Sequence, residues 1–421
     1  MSTRADGLPA YAIFAATLAA AGLPIYIHAP KYFVDEYGVS LAALGVILFG
    51  LRLLDVVQDP LLGWLSRRLG AWRRGSVAFA GAVMALAMVG LFAVEPPIAP
   101  AAWFAITLAL LFSAFSYLTI TFYAQGVQKA GTMRGGDGHV RLATWRESGA
   151  LLGVSMAAVL PVALVSLTDA PFAVFAVIFA ISVGFAVLAM RGEWRAGGVV
   201  EGVGFRPILG DPLARRLLLI ALLNATPVAV TSTLFLFFVE SRLDAVGWEG
   251  PLLLLFFLAA AASAPVWGKI AGLVGAKRAL LAGMALAVVS FGFAAFLGTG
   301  DTVAFSGICI ASGAALGADM TLLPAIFARR MSEIAPEAAE GFGLWSFVTK
   351  FTLAFAAVTL LPLLEVSGFE PGTTATASKE ALTTLTLMYA VLPCVLKLVA
   401  MALLARTPIE HVYAGAAMQE T

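Results

Sequence analysis

Apolar residues run through this chain in long blocks, separated by short polar, Pro or Gly breaks. About 20 such residues carry a helix across a bilayer. Twelve blocks reach or approach that length, near 8–33, 39–65, 76–95, 101–128, 142–167, 171–190, 213–239, 248–273, 278–298, 302–328, 341–366 and 382–405. The pattern predicts an all-α membrane protein with twelve transmembrane helices. Basic residues collect in alternate breaks: Arg67, Arg68, Arg73 and Arg74, then Lys129, Arg134 and Arg141, then Arg191, Arg195 and Arg206. Lys269, Lys277 and Arg278 follow, and then Arg329 and Arg330, whereas the opposite breaks hold only Lys31, Arg242 and Lys379. Lys and Arg are retained on the cytoplasmic side, so both termini are expected there, in a bacterial-type inner membrane. Residues 1–7 are short and polar and lead straight into a spanning-length block, which reads as a first helix and not as a cleaved signal.

The two halves of the pattern repeat. Asp59-Pro-Leu-Leu-Gly-Trp-Leu-Ser-Arg-Arg-Leu-Gly-Ala-Trp-Arg73 aligns with Ala264-Pro-Val-Trp-Gly-Lys-Ile-Ala-Gly-Leu-Val-Gly-Ala-Lys-Arg278. Pro60 pairs with Pro265, Gly63 with Gly268, Gly70 with Gly275 and Ala71 with Ala276, all at one offset. A constant offset near half the chain is a duplication signal. The expected plan is two pseudo-symmetric six-helix bundles, 1–190 and 213–421, joined by a cytoplasmic loop over 191–212.

With 61% hydrophobic and 12% charged residues, the chain is not a soluble globular protein. Its net charge of +1 adds little, because position governs a membrane chain more than the sum does. Cys309 and Cys394 fall inside apolar blocks and read as buried packing residues, with no disulfide or metal framework. Gly135-Gly-Asp-Gly138 lacks the strand–loop–helix setting of a phosphate loop and reads as a flexible connection. No nucleophile, hydrolytic-metal or nucleotide motif is present, so neither an enzyme, a cofactor nor a nucleic-acid partner is expected.

The chemistry then lies in charges inside the apolar blocks, each costing roughly 3 kcal/mol to insert. Arg52, Asp55 and Asp59 are spaced i, i+3 and i+7, which stacks them on one helical face. Pro60 leaves one main-chain carbonyl without its usual donor. With Gln58, the two carboxylates and that carbonyl form an all-oxygen environment suited to a proton or a small hard cation such as sodium. The other reading is a structural Arg–Asp–Asp lock. The duplication argues against it, since Asp55 and Asp59 become Ala260 and Ala264 in the second half. Lys350, about ten residues into its block, is expected deep and paired with Asp55 or Asp59. Arg146 and Glu147, near the start of theirs, read either as a shallow helix-end ion pair or as a substrate contact. Asp319 reads as a substrate or proton group, or as an acid bonded to a neighbouring hydroxyl. Tyr11, Tyr117, Tyr123 and Trp345 either line a pathway or pack.

Twelve blocks, two halves and a basic central loop resemble the major facilitator superfamily (MFS). Within it the chain resembles the glycoside–pentoside–hexuronide:cation symporters, the melibiose-permease-like family. The resemblance rests on Lys31-Tyr-Phe-Val-Asp-Glu-Tyr-Gly-Val-Ser40, on Arg52 with Asp55, Asp59, Pro60, Gly63 and Trp64, on Arg146-Glu-Ser-Gly-Ala-Leu-Leu-Gly153, and on Lys350 with the Phe351-Thr-Leu-Ala-Phe-Ala-Ala357 that follows. It implies a monomeric symporter of a small organic solute, with Asp55 and Asp59 as cation ligands, Arg146 on the substrate and Lys350 close to the cation. Sugar-carrying members use two acids where this chain has Ala19 and the Thr121 region, and Gln125 stands in for the aromatic that stacks on sugar. A typical glycoside is therefore not the expected substrate. Two other readings keep the fold: a lysolipid or other amphiphile carrier, and a non-transporting membrane sensor. Tags at both termini should resist labelling of intact cells, while a cysteine introduced at Pro97 or Gly300 should react from outside; a labelled terminus would overturn the two-halves topology.

Overall fold

The computed structural model describes residues 7–133, 137–165, 167–194, 204–335, 339–367 and 379–409. Within them the regular structure is helical throughout, as it must be where hydrocarbon cannot satisfy an open backbone. The long helices are α1 (Leu8–Tyr37), α2 (Leu41–Arg68), α3 (Arg73–Phe92), α4 (Pro100–Gly131), α5 (Gly138–Leu164) and α6 (Pro171–Ala189). They continue with α7 (Pro212–Phe237), α8 (Glu249–Val274), α9 (Ala276–Gly292), α10 (Thr302–Ile334) and α11 (Ala339–Val366). The last, α12, runs through Lys379–Thr386, a π turn at Leu387–Val391, and Leu392–Ala405. A helix thus occupies each of the twelve expected blocks. Among the described residues, 8 of these helices are long and apolar enough to cross a membrane: α3, α4, α6 to α10 and α12.

Local signals place the ends. Ser40 caps α2, its hydroxyl accepting from the Ala43 N–H at 3.2 Å. Gly38, in the left-handed region at φ 63°, ends α1 just before it. Asp211 caps α7 by accepting from the Ala214 N–H at 2.7 Å, and it also takes the Arg330 guanidinium, with Nε at 3.0 Å. Burial works against the Asp211 charge, but those donors outweigh it and hold the carboxyl below its ordinary range. Its stabilising contribution is therefore present above the usual carboxylate pKa and is lost as pH falls through the lowered one.

The chain divides into two compact units. The first is Met1–Ile208 together with Met331–Phe347, and the second is Leu209–Arg330 with Val348–Thr421. The sequence division put Met331–Phe347 in the second half, but by contact it groups with the first. The reason is local: Gly63 of α2 lies under the backbone of Ala339 and Glu340, and Arg67 pairs with Glu340. Residues 195–203 of the expected central loop lie outside the described residues.

Inside each unit, glycines bring helix backbones together, as expected where lipid removes any hydrophobic preference for a neighbouring helix. Gly149 and Gly153 seat α5 on α1, and a Cβ at either would collide with the carbonyl of Ala12 or Ala16. In the second unit, Gly313 and Gly317 press α10 onto α8 at the carbonyls of Phe256 and Ala260. Aromatics fill the wider gaps: Phe14, Phe122 and Trp194 in the first unit, Phe238, Phe305 and Tyr389 in the second. Gly153→Val should lower stability by about 1–3 kcal/mol, the usual cost of overpacking. Gly184→Ala, at a site with open space around it, should leave stability unchanged or raise it. Thermal unfolding in detergent checks both; a Gly153→Val midpoint equal to the wild type would overturn the close α1–α5 contact.

Candidate functional site

Helical spacing sets the acids of α2 against hydroxyls of α4. Asp55 is 3% exposed and Asp59 is fully buried. Asp55 Oδ1 accepts from Gln58 Nε2 at 3.0 Å and from Ser116 Oγ at 3.5 Å, while Ser113 Oγ donates to Gln58 Oε1 at 2.8 Å. Ser113 and Ser116 are themselves i and i+3, so one face of α4 meets one face of α2. The α2 helix continues through Pro60. Asp59 accepts from Ser346 Oγ, on the stretch of α11 that belongs to this unit. Gly343 makes that approach possible, since its Cβ position is 2.9 Å from the Asp59 carbonyl oxygen. Two carboxylates, an amide and three hydroxyls thus gather around a segment of α2. Among the described residues no three His, Cys, Asp or Glu side chains group to hold a metal ion. A sodium ion here would need those hydroxyl and amide oxygens; a proton would need one carboxylate.

The α4–α5 seam holds a second polar group. Arg146 and Glu147 are 3% and 1% exposed. The Arg146 Nε donates to Glu147 Oε1 at 2.7 Å, and Tyr123 Oη donates to the same oxygen at 2.8 Å. The guanidinium lies 3.6 Å above the Tyr123 ring, which also packs against Phe342 at 5.1 Å between centroids. Leu142 and Arg146 approach α4 at Gly126, which explains the burial. Arg146 Nη2 is buried with no hydrogen-bond partner among the described residues.

Other candidates fall elsewhere. Tyr117 donates to Ser76 Oγ at 2.7 Å, Thr121 pairs with Ser66 at 2.7 Å, and Gln125 accepts from Arg73 Nη1 at 3.4 Å. These are buried seam contacts of α4 with α2 and α3. Arg73, which the sequence placed in a cytoplasmic loop, is 1% exposed within that seam. Ala19 is half-buried, and the side chain of Arg52 lies outside the described residues. Trp345 is half-buried in the first unit. Lys350 groups with the second unit and is half-buried rather than deep, as is every residue of α11 from Leu344 onward to it.

In the second unit, Asp319 of α10 bonds not a hydroxyl but Lys397 of α12, which also donates to Asn224 Oδ1 of α7 at 2.7 Å. Lys397 is 4% exposed. Its signal in the sequence was plain, a lone lysine in the middle of the last apolar block, but basic residues there were counted only at the breaks. Cys394 is half-buried beside it, and Cys309 is fully buried.

The chain matches the family model described as MFS/sugar transport protein over residues 9–411. No curated protein sequence matches it. Among solved structures it is similar to a bacterial homologue of the iron transporter ferroportin in the outward-facing state, with a TM-score of 0.71 at 14% identity, covering 96% of this chain and 99% of the other. The same homologue soaked with iron matches with a TM-score of 0.71 at 15% identity and the same coverage. At such identity the likeness is one of fold.

Tyr123→Phe removes one donor from the buried Glu147 and keeps the ring under Arg146. A hydrogen bond to a charged group contributes about 1.5–3 kcal/mol, so the unfolding midpoint should fall. Tyr123→Ala should fall further, since a desolvated cation–ring contact adds about 2 kcal/mol. Equal midpoints for the two variants would show that the ring contributes nothing.

Proposed function

Since the chain belongs to the MFS/sugar transport protein family, we propose that it is a cation-coupled symporter of a small organic solute, working by alternating access. The observation that carries this reading is Asp59, a fully buried carboxylate bonded by Ser346 of α11 and one helical turn from Asp55, which with Gln58 meets the serines of α4. The coupling ion, a proton or sodium, binds at Asp55 and Asp59 with Gln58. Lys350 serves with Arg52 as the countercharge that the ion relaxes. Ion binding then lowers the cost of closing around substrate. The protein acts as a monomer in the inner membrane, with both termini in the cytoplasm.

The substrate is not a typical glycoside. Such a site needs acceptors for several hydroxyls, and the corresponding positions are an alanine at residue 19 and a Thr121 whose hydroxyl is already paired with Ser66. Tyr117, Thr121 and Gln125 are spent on neighbours, so they are poor substrate ligands. Arg146 is better placed, because its buried Nη2 still has a hydrogen bond to give. Trp345 adds a ring on the same turn as Ser346. The iron named for the structural relative is not carried over, because the likeness is one of fold and metal-holding clusters are absent from the described residues.

Asp59→Asn should abolish accumulation driven by an ion gradient while leaving exchange of substrate down its own gradient. An asparagine fills the space and accepts the Ser346 bond but neither titrates nor carries charge. Asp55→Asn should act in the same direction, and more strongly if sodium is the driver. Uptake into vesicles under imposed sodium or proton gradients measures both. Uphill transport persisting in the Asp55→Asn/Asp59→Asn double variant would remove the ion site from α2.

A further inference from the structure

The second unit contains a charged group that the acid cluster of α2 does not account for. Lys397 Nζ donates to Asp319 Oδ2 and to Asn224 Oδ1, tying α12, α10 and α7 together. Asp319 is 7% exposed, and its other oxygen, Oδ1, is buried without a hydrogen-bond partner among the described residues. A buried orphan acceptor in a bundle signals a missing donor. Asp319 and Lys397 both form part of the wall of a cavity of about 70 Å³ inside this unit. The rest of that wall is mainly apolar, with Phe256, Phe291, Val288, Leu316 and Pro227, and with Cys394 beside Lys397. The backbone of α12 is irregular at the same place, where a π turn at Leu387–Val391 runs into Pro393. Such π segments are frequent at functional sites.

The geometry points to this cavity as a binding site for the hydroxyl- or amide-bearing end of a small neutral solute with an apolar body. One group has to give a hydrogen bond to Asp319 Oδ1 and take one from the ammonium of Lys397, which spends two of its three donors on Asp319 and Asn224. A hydroxyl or primary amide does both. A carboxylate offers acceptors only and meets the charge of Asp319, and an ammonium offers donors only and meets Lys397. The ion pair therefore reads a neutral polar end, while the rings of Phe256 and Phe291 take the carbon atoms. The site lies within the second unit and does not depend on the ion-coupling role of Asp55 and Asp59.

Cys394 on the cavity wall is a native reporter, because the chain has only 2 cysteines. In purified Cys309→Ser protein, the reaction of Cys394 with methyl methanethiosulfonate would be followed by mass spectrometry with 1-butanol, butyrate or butylammonium present. At about twice its dissociation constant 1-butanol should slow the reaction roughly threefold, by the factor 1 + [L]/Kd. Butyrate and butylammonium at the same concentration should leave the rate unchanged. Removing one charge alone could unfold the bundle, so the companion variant is Asp319→Leu/Lys397→Met, in which an apolar pair of similar size replaces the ion pair and the fold is retained. There the 1-butanol protection should disappear. Equal protection by all three probes, protection by none, or undiminished protection by 1-butanol in the double variant would each overturn the site.

Discussion

A charge surrounded by hydrocarbon finds no partner outside its own bundle, and this requirement governs which helices meet here and where. Asp55 is met by Gln58 and Ser116, Glu147 by Arg146 and Tyr123, and Lys397 by Asp319 and Asn224. Each group joins two or three helices that apolar packing alone would not hold in one register, because lipid tails compete with any leucine. Breaking a member of such a group leaves its partner charged and unpaired, which is why these positions matter more than their number suggests.

The duplicated halves meet the same requirement in opposite ways. In the first, the α2–α4 contact is made by carboxylates, an amide and serines. In the second, the corresponding acid positions are Ala260 and Ala264, both fully buried, and Gly317 closes on them. Ser263 and Trp267 of α8 then share the Ala314 carbonyl, at 2.9 and 2.8 Å. Small residues let backbones touch where charge has been removed. The charge of the second unit is moved to α10, α12 and α7, so the halves keep their fold and divide the chemistry.

The fold was legible because apolar length is a strong, one-dimensional signal; every expected block carries a helix. The burial of Asp55 and Asp59 was legible from their spacing, which puts them on one face. What the chain could not show is which residues face them. Ser113, Ser116 and Ser346 are ordinary in sequence and become ligand candidates only through the contact of α2 with α4 and the start of α11. Arg73 was misplaced because a basic residue next to a loop counts as solvated until a seam is found to enclose it. Lys397 and Asp319 lie 78 positions apart, so their pairing emerges only when α12 packs on α10.

The contact between α2 and the start of α11 pairs side chains at Arg67–Glu340 and Ser346–Asp59, and at two glycines it brings main chain against main chain. Gly63 faces the carbonyl of Ala339, 2.8 Å from its Cβ position, and Gly343 faces the carbonyl of Asp59. A wall built from side chains can open by rotamer changes, which take picoseconds to nanoseconds at exposed sites. A wall built from main chain has nothing to swing aside. Access to Asp59 past these glycines requires displacement of a whole helix, a collective motion on the microsecond-to-millisecond scale. Parting α2 from the start of α11 at these glycines is therefore the movement of a helix and not the flicker of a side chain.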